Sequence, residues 1–373
     1  MSGIYIHIPF CKQACHYCDF HFSTSMKNKS AMLQAITNEL ILRKDEINET
    51  IETIYFGGGT PSLLTIDELQ LLINEVYKNY LVSENPEITL EANPDDLTKT
   101  KIIELSKSQV NRLSIGIQSF FDDDLQQMNR AHSSYEAKLC LEQAAKYFDN
   151  ITVDLIYGIP NMTLEKWDAN LQTTFDYGMN HISSYALTVE PKTALAAFIK
   201  KGIYPQIDET LALQHFNHLM DETEKHGFVQ YEISNFGKPD YFSKHNTSYW
   251  QEKPYLGIGP SAHSFDGKSR SWNISNNSKY IKAIQKDELP RTVEILSIND
   301  KYNEYIMTSL RTIWGISVKK VEQEFGKEYK KHLLFQIEKH VKNSLVNCHE
   351  EVFQLTRKGK FLADGIALDL FMI

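Results

Sequence analysis

The segment HIPFCKQACHYCDF, residues 7–20, carries three of the five cysteines of the chain: Cys11, Cys15 and Cys18. The residues just before them, IYIHIPF, are rich in β-branched and aromatic side chains and include Pro9 near their end. This composition predicts a strand that leads directly into the cysteines. We therefore expect a loop bearing three thiols at the end of the first strand.

Three roles are open to thiols with this spacing. On a helix, steps of four and three residues would place them on one face as small core side chains, but the strand-like approach disfavours a helix. Zinc is a second role, because His16 or His21 could complete a tetrahedral site, although no second pair of ligands follows. The third, which the single short loop favours, is a cubane iron–sulfur cluster. Such clusters normally take four cysteines, so three would leave one iron open to an exchangeable ligand.

Composition excludes several classes of protein. With 373 residues, 42% of them hydrophobic, the chain can form a full core and exceeds one ordinary domain. A net charge of −9 argues against general affinity for nucleic acid or anionic lipid. No window approaches 18 apolar residues and the N-terminal sequence does not resemble a signal peptide. We expect a cytoplasmic protein without a transmembrane segment, in which cysteines serve as ligands or nucleophiles.

Strand-like and amphipathic helix-like stretches alternate through the first half of the chain. The near-continuous apolar strands predict an α/β fold with a parallel sheet covered by helices, as an open six-stranded version of a β/α barrel. Catalytic and binding groups in such folds lie at the carboxyl ends of the strands. The predicted strands are IYIHI (4–8), ETIYFGG (52–58), EITLEAN (87–93), RLSIGIQS (112–119), ITVDLIYGI (151–159) and ISSYALTV (182–189).

Unusual polar residues follow the predicted strands repeatedly. The second strand runs into GGGTP, residues 57–61, whose glycines allow close approach of the backbone to a ligand. This motif lacks the Lys-Ser/Thr ending of a phosphate loop. The third strand carries EANPDD, and later strands supply Gln118, Asp154 and Glu190. Their common position predicts one site at the rim of the barrel, although an ion network lining the interior is the alternative for the charged residues.

Two features resemble the radical S-adenosylmethionine (SAM) superfamily. One is Cys-x3-Cys-x2-Cys after a first strand, with an aromatic residue before the last cysteine; the other is the glycine motif GGGTP. The resemblance implies a partial (β/α)6 barrel and a [4Fe-4S] cluster held by Cys11, Cys15 and Cys18. It also implies that SAM chelates the open iron and that the glycine motif holds its amino group.

Further motifs resemble one group within that superfamily. YIHIPFC, GGGTPS, EANP, RLSIGIQSF, RAH at 130–132 and DLIYGIP are similar to the HemN/HemW family, which contains oxygen-independent coproporphyrinogen III oxidases and heme chaperones. This resemblance extends over essentially the whole chain. The SAM contacts that it implies are Tyr5, Tyr17, Gly58, Gly59, Thr60, Glu91, Gln118, Arg130 and Asp154.

An aromatic segment follows a predicted helix at 209–227. HNTSYW (245–250) and GIGPSAHS (257–264) resemble motifs of the same family, and the former resembles its chaperone branch. Aromatic side chains suit a flat tetrapyrrole, and histidine is a common axial ligand of heme iron. We therefore take His245 and Trp250 as candidate heme contacts. The alternative is that His245 and His263 are hydrogen-bonded histidines of a packed aromatic region.

The C-terminal residues predict a small helical unit that ends in a β-hairpin wing over VFQLTRKGKFLADGIALDLF. Winged helices often bind DNA, but residues 315–373 contain ten Lys or Arg and eight Asp or Glu, a net charge of only +2. Packing or partner docking fits better than nucleic acid. The predicted domains are a radical SAM barrel at 1–228, a mixed segment packing on it at 229–298, and a winged-helix-like domain of the HemN type at 299–373.

Three functions remain from this sequence. The resemblance favours a heme chaperone that binds heme, a cluster and SAM, accepts electrons from a donor, and transfers heme to acceptors such as respiratory enzymes. The first alternative is the coproporphyrinogen III oxidase of porphyrin biosynthesis. Its relatives carry a long extension before the cluster loop and a further cysteine after the third ligand, whereas here ten residues precede Cys11 and Asp19-Phe20 follow Cys18. A regulatory cluster protein is the third hypothesis.

The cysteines can be tested directly. Anaerobically reconstituted protein should bind about four iron atoms per chain and show a broad absorption band at about 400 nm. Replacing Cys11, Cys15 or Cys18 with alanine should abolish this iron, because each would remove a ligand. Replacing Cys140 or Cys348 should leave the iron content unchanged, and equal iron loss from the Cys140 variant would contradict a three-ligand cluster.

Overall fold

A large, mainly parallel sheet covered by helices forms most of the computed structural model, which describes residues 2–373. The strands of the barrel alternate with helices in the first half of the chain, as predicted. Their bounds are β1 Ser2–Ile8, α1 Lys29–Leu42, β2 Ile51–Gly58, α2 Ile66–Asn79, β3 Val82–Ala92, α3 Lys99–Leu105, β4 Arg112–Gln118, α4 Asp122–Gln127, α5 Ser134–Ala144, β5 Ile151–Tyr157, α6 Leu164–Asp176 and β6 His181–Ala186.

The second half of the chain adds shorter elements. They are α7 Ala194–Lys200, α8 Glu209–Lys225, β7 Val229–Glu232, β8 Asn235–Gly237, α9 Lys244–Trp250, β9 Tyr255–Ile258, β10 His263–Phe265, β11 Ser269–Asn273, α10 Asn277–Ile284, β12 Arg291–Ile295, α11 Ile298–Leu310, β13 Ile316–Ser317, α12 Val318–Glu324, α13 Lys327–Lys342, β14 Val346–His349, β15 Val352–Leu355, α14 Arg357–Lys360 and α15 Ala363–Leu370.

The sheet has twelve strands in the order β12-β11-β10-β9-β1-β2-β3-β4-β5-β6-β8-β7. Strands β1 to β6 are neighbours in chain order and pair in parallel. Strand β9 pairs in parallel with the other side of β1. The sequence-based expectation of an open α/β barrel is confirmed, and the segment after residue 228 extends the same sheet at both of its edges.

Side chains along β1 point alternately into the hydrophobic core and into the inside of the barrel. Ile4, Ile6 and Ile8 are fully buried in the main hydrophobic core, together with apolar residues of α1 and α2. The residues between them face the inside of the barrel, where Tyr5 packs on Tyr55 of β2. Successive side chains of a strand point to opposite faces, so one strand supplies both the core and the barrel interior.

A buried network of hydrogen bonds around Glu39 and Arg43, at the end of α1, connects the second half of the chain to the barrel. The carboxylate of Glu39, with no exposed surface, accepts hydrogen bonds from Arg43 (3.0 Å), Asn273 (2.7 Å), the Gly259 amide (2.8 Å) and Tyr280 (2.5 Å). The guanidinium of Arg43 also donates to the Gly257 carbonyl at 2.7 Å. A pair of opposite charges satisfied in this way tolerates removal from water.

The C-terminal residues form a separate hydrophobic cluster built on Tyr302, Ile306, Leu333, Ile337 and Phe353. Its hairpin, β14–β15, lies within residues 346–355 and does not end the chain. The sequence-based expectation of a wing over residues 352–371 was therefore wrong for residues after Leu355. Ile366, Ala367 and Leu370 are buried at helical spacing, and this periodicity accounts for α15.

No helix within residues 2–373 has the length and apolar character needed to cross a membrane.

The Glu39 network supplies a stability test. Glu39→Ala should lower the free energy of unfolding by about 3–5 kcal/mol, because the buried Arg43 charge would keep only the partly exposed Glu46 and three other buried donors would lose their acceptor. Urea denaturation measures this quantity. Glu142→Ala is the matched control, since Glu142 of α5 pairs with Lys146 at the same spacing and both side chains are exposed; its loss should cost less than about 1 kcal/mol. Equal effects of the two changes would contradict the assigned role of Glu39.

Candidate functional site

The carboxyl ends of the parallel strands surround a cavity of about 520 Å³. Most of the predicted cluster and SAM contacts line it, although they come from five strands and the loops that follow them. The structure thus brings together Cys11, Cys15, Cys18, Tyr17, Gly58, Gly59, Thr60, Glu91, Gln118, Arg130 and Asp154.

The three thiols are half-buried, unpaired in disulfides and open to this cavity. The Thr60 hydroxyl donates to Cys11 Sγ at 3.4 Å, and Arg130 Nη1 donates to Cys15 Sγ at 3.4 Å. Desolvation raises the pKa of the Cys11 thiol and raises the pKa of the Cys18 thiol to about 11, so burial disfavours their thiolate forms. The Thr60 hydroxyl and the nearby Arg130 cation oppose this rise in pKa at Cys11 and so favour the thiolate form that binds metal. The residues present therefore fit a cluster held by three cysteines.

The histidines that could have completed a zinc site bind other groups. The ring of His16 packs edge-on against Phe198, and its Nδ1 hydrogen-bonds the Gln127 carbonyl at 2.9 Å. His21 Nε2 hydrogen-bonds the side chain of Asn277 at 2.7 Å. Both partners are oxygen acceptors, so each ring keeps a lone pair on its second nitrogen. Within residues 2–373, however, no three ligand atoms that include these histidines or the cysteine thiols lie close enough together to share one metal ion. This spacing favours the three-thiol cluster over the zinc alternative.

The glycines after β2 pack directly against the cysteine loop. The Gly59 amide donates to the Ile8 carbonyl at 2.9 Å, and a Cβ on Gly59 would lie 2.7 Å from the Phe10 carbonyl oxygen. Gly58 has a φ of +105°, which favours glycine. We expected the glycines to allow a ligand to approach. At Gly59, the absent side chain also allows two segments of the protein to approach each other.

Two carboxyl groups face the cavity with raised pKa values. Glu91 accepts hydrogen bonds from the Tyr55 hydroxyl (2.8 Å) and the Gly58 amide (3.2 Å), and desolvation raises its pKa to about 7. Asp154 accepts from the Ser114 hydroxyl at 3.2 Å, and desolvation raises its pKa to about 6. A cationic ligand beside these groups would favour their ionised forms. The pair therefore suits a ligand with positive charge.

Arg130 connects the cluster loop to the ends of β3 and β4. Its Nη2 donates to Asn93 Oδ1 at 2.6 Å and to the Gly116 carbonyl at 2.8 Å. Its Nη1 also lies 3.5 Å from the Tyr17 hydroxyl. The neighbouring Gln118 adopts a left-handed φ of +66°, uncommon for a residue with a side chain. Arg130 thus joins Tyr17 and the cluster loop to the ends of β3 and β4.

Three predicted contacts do not line the cavity. Tyr5 lies behind its wall, with its ring stacked on Tyr55 and its hydroxyl 3.2 Å from His7 Nδ1. His245 is 1% exposed: its Nδ1 hydrogen-bonds Thr53 Oγ1 and its Nε2 hydrogen-bonds the Tyr249 hydroxyl, both at 2.7 Å. Trp250 is half-buried beneath the Arg311 guanidinium. In this arrangement neither ring nitrogen of His245 is free.

Helix α9 accounts for the burial of His245. The amides of Lys244 and His245 donate to the Glu87 carboxylate at 3.0 and 2.9 Å, which anchors the start of the helix inside the barrel. The His245 ring stacks on Tyr55 with centroids 4.8 Å apart. Desolvation lowers its pKa to about 3, so the imidazole is neutral at physiological pH. Tyr55 thus contacts both His245 and Glu91.

Sequence reasoning missed several residues of the cavity wall, among them Tyr55, Ser114, Ser183, Tyr185 and Asn246. Tyr55 lies two residues before Gly57 of the glycine motif, and Ser114 lies four residues before Gln118. Because side chains alternate across a strand, this spacing could have identified these two residues. Ser183 and Tyr185 lie on β6, which supplied no predicted contact. Asn246 belongs to α9, and no local signal placed that helix against the cavity.

Comparisons with known proteins agree with this geometry. The family model described as "Radical SAM superfamily" matches residues 5–173, and the "HemN C-terminal domain" matches residues 296–362. In overall fold, the chain resembles the solved structure of coproporphyrinogen III oxidase (HemN) from Escherichia coli. The TM-score is 0.86 at 22% identity, covering all of this chain and 90% of that one.

Similarity to curated proteins extends over the full chain. "Heme chaperone HemW" of Bacillus subtilis is 34% identical over 98% of both chains. The protein of the same name from Lactococcus lactis is 32% identical over 98% of both. Together with the radical SAM match, this similarity establishes that the chain belongs to the HemN/HemW family of the radical SAM superfamily, in which its full-length relatives are HemW-type proteins.

Proposed function

We propose that this protein is a heme chaperone, which binds heme, a [4Fe-4S] cluster and exchangeable SAM, and passes heme to acceptor proteins such as respiratory enzymes. The observation that carries the proposal is the meeting of three free thiols, the glycine motif and two carboxyl groups at one cavity. The full-length relatives named heme chaperone favour this function over others that use the same cavity.

Cys11, Cys15 and Cys18 would hold the cluster, and its chemistry would be one-electron transfer with a donor protein or SAM. Around them, Arg130 and Thr60 donate to sulfur and so favour the thiolate form. Glu91 and Asp154 offer acceptors for the positive and hydroxyl groups of SAM. Binding of that cation would lower their raised pKa values and so gain electrostatic free energy.

Heme binding at His245 requires a local rearrangement. The neutral imidazole is the form that binds iron, but Tyr249 occupies Nε2 and Thr53 occupies Nδ1. Withdrawal of α9 from the barrel would break these bonds and those of Glu87. His263 differs because it is exposed and its ring lies 6.0 Å from that of Trp272. We retain His245 and Trp250 as the proposed heme contacts and use His263 as the comparison.

The oxygen-independent oxidase remains the alternative, because the fold closely matches that of the E. coli enzyme. Fold similarity at 22% identity does not fix the reaction. Decarboxylation needs the porphyrinogen held beside SAM in a near-attack geometry. The two functions therefore differ in a measurable way, since only the oxidase converts the tetrapyrrole.

SAM binding can be followed by electron paramagnetic resonance of the reduced cluster. SAM should change the spectrum, and Glu91→Gln should raise the concentration needed by about tenfold, because one charged hydrogen-bond acceptor is lost. Glu190→Gln is the control, since Glu190 lines the same cavity but is not a proposed SAM contact. A spectrum that does not respond to SAM would instead indicate a purely structural cluster.

Heme binding and porphyrinogen conversion separate the two functions. The protein should bind about one heme per chain and should form no protoporphyrinogen from coproporphyrinogen III when reductant and SAM are present. Heme titration and anaerobic porphyrin chromatography measure these outcomes. Multiple-turnover formation of the decarboxylated product would support the oxidase and contradict the chaperone.

The heme ligand needs its own pair of variants. His245→Ala should weaken heme binding by about tenfold or more, since even groups around a metal ligand commonly contribute that much. His263→Ala should leave the affinity unchanged. If His245→Ala lowers stability but not heme affinity, His245 is a packing residue only.

A further inference from the structure

Residues Gln127–Arg130 lie against the cysteine loop, and each of the four contacts it. The Gln127 carbonyl hydrogen-bonds His16 Nδ1 at 2.9 Å, and the Met128 carbonyl accepts from the His16 amide at 3.1 Å. Arg130 donates to Cys15 Sγ at 3.4 Å. We call these residues the loop support. They join the end of α4 to a loop more than a hundred residues away in sequence.

Asn129 makes the largest number of these contacts. Its Nδ2 donates to the Ala14 carbonyl at 2.7 Å, while its Oδ1 accepts from Gln13 Nε2 at 2.8 Å. The same Gln13 amide also donates to the backbone carbonyl of Asn129 at 2.9 Å. The side-chain amide of Asn129 therefore acts as a donor to Ala14 and as an acceptor from Gln13, two consecutive residues of the loop.

The position of these contacts matters for the thiols. Gln13 and Ala14 belong to the three-residue spacer between Cys11 and Cys15. A spacer in a loop has no strand or helix hydrogen bonds to fix it, so its conformation depends on contacts from outside. Lys12, the remaining spacer residue, forms an ion pair with Asp95 at 2.8 Å on the other side. The spacer is thus held from two directions.

The backbone of Asn129 explains why this residue is an asparagine. Its φ is +56°, in the left-handed region, where asparagine is several-fold enriched among residues with side chains. Glycine would adopt the same backbone but would lack the amide. Alanine would lack the amide and also carry the conformational cost. Only a short polar side chain satisfies both the turn and the loop contacts.

We propose that Asn129 is a positioning residue for the cluster, which holds the Cys11–Cys15 spacer so that the thiols are arranged before iron binds. The inference deepens the proposed cluster assignment and rests on it for its iron-binding part. Groups that orient metal ligands typically change metal affinity by about 10–100-fold when removed. Asn129 does not touch the cavity itself, so its effect must pass through Gln13 and Ala14.

The test compares Asn129→Gly and Asn129→Ala with a matched control, Asn161→Ala. Asn161 also has a left-handed φ, +69°, but is exposed in the loop after β5 and lies outside the cavity wall. Reconstituted proteins are treated with an iron chelator, and the spectrum of the reduced cluster is recorded. We expect Asn129→Gly and Asn129→Ala to lose iron about tenfold faster or more, with an altered spectrum, and Asn161→Ala to match the wild type.

A second measurement uses the metal-free protein. Alkylation of Cys15, quantified by mass spectrometry of its peptide, should be faster in Asn129→Gly because the spacer is released, whereas Cys140 should stay protected. Wild-type rates of both iron loss and alkylation in Asn129→Gly would overturn the proposal, as would equal changes in Asn161→Ala. A wild-type protein that binds no iron, with Cys15 still released by Asn129→Gly, would refute the cluster but support the positioning of the loop.

Discussion

The close contact between Gly59 and the start of the cysteine loop is the constraint on which the rest of the site depends. A hydrogen bond from its amide to Ile8 and the missing Cβ beside Phe10 bring the ends of β1 and β2 into direct backbone contact. Any side chain at position 59 would push this loop away. The thiols, Thr60 and the carboxyl group of Glu91 then fall around one cavity because their strands are adjacent in a parallel sheet.

The two carboxyl groups in the cavity favour a bound cation and destabilise the protein when no ligand is bound. Glu91 and Asp154 have pKa values of about 7 and about 6, above those of the unfolded chain, because desolvation penalises their ionised forms. Their contribution to the free energy of unfolding is therefore largest at low pH and is lost as pH rises through this range. A positively charged ligand reverses this penalty. Burial of these two carboxyl groups therefore lowers the stability of the ligand-free protein at neutral pH, and groups with such shifted pKa values are common in functional sites.

Much of this arrangement was predictable from local patterns. The six strands were predicted from near-continuous apolar runs that alternate with helix-like stretches, and Thr65 starts α2 with a capping box to Glu68. The rim position of Glu91 and Asp154 followed from the fold. A hydrogen-bonded His245 in a packed aromatic region was the alternative to a heme contact, and the structure has this arrangement. Its position inside the barrel did not follow from the sequence, because it depends on Glu87, which is more than 150 residues earlier. The C-terminal hairpin was misplaced because its strands are four residues each and carry little periodic signal.

The position of β1 in the middle of the sheet affects how the chain folds while it is being synthesised. Gly3 pairs with Tyr255 of β9 as well as with Thr53 of β2. At ribosomal rates of roughly 5–20 residues per second, one edge of β1 therefore stays unpaired for roughly 12–50 s after it is synthesised. Such an edge is a template for pairing with other chains. During this interval the nascent protein depends on its first six strands and their helices, or on cellular chaperones, to keep that edge from aggregating.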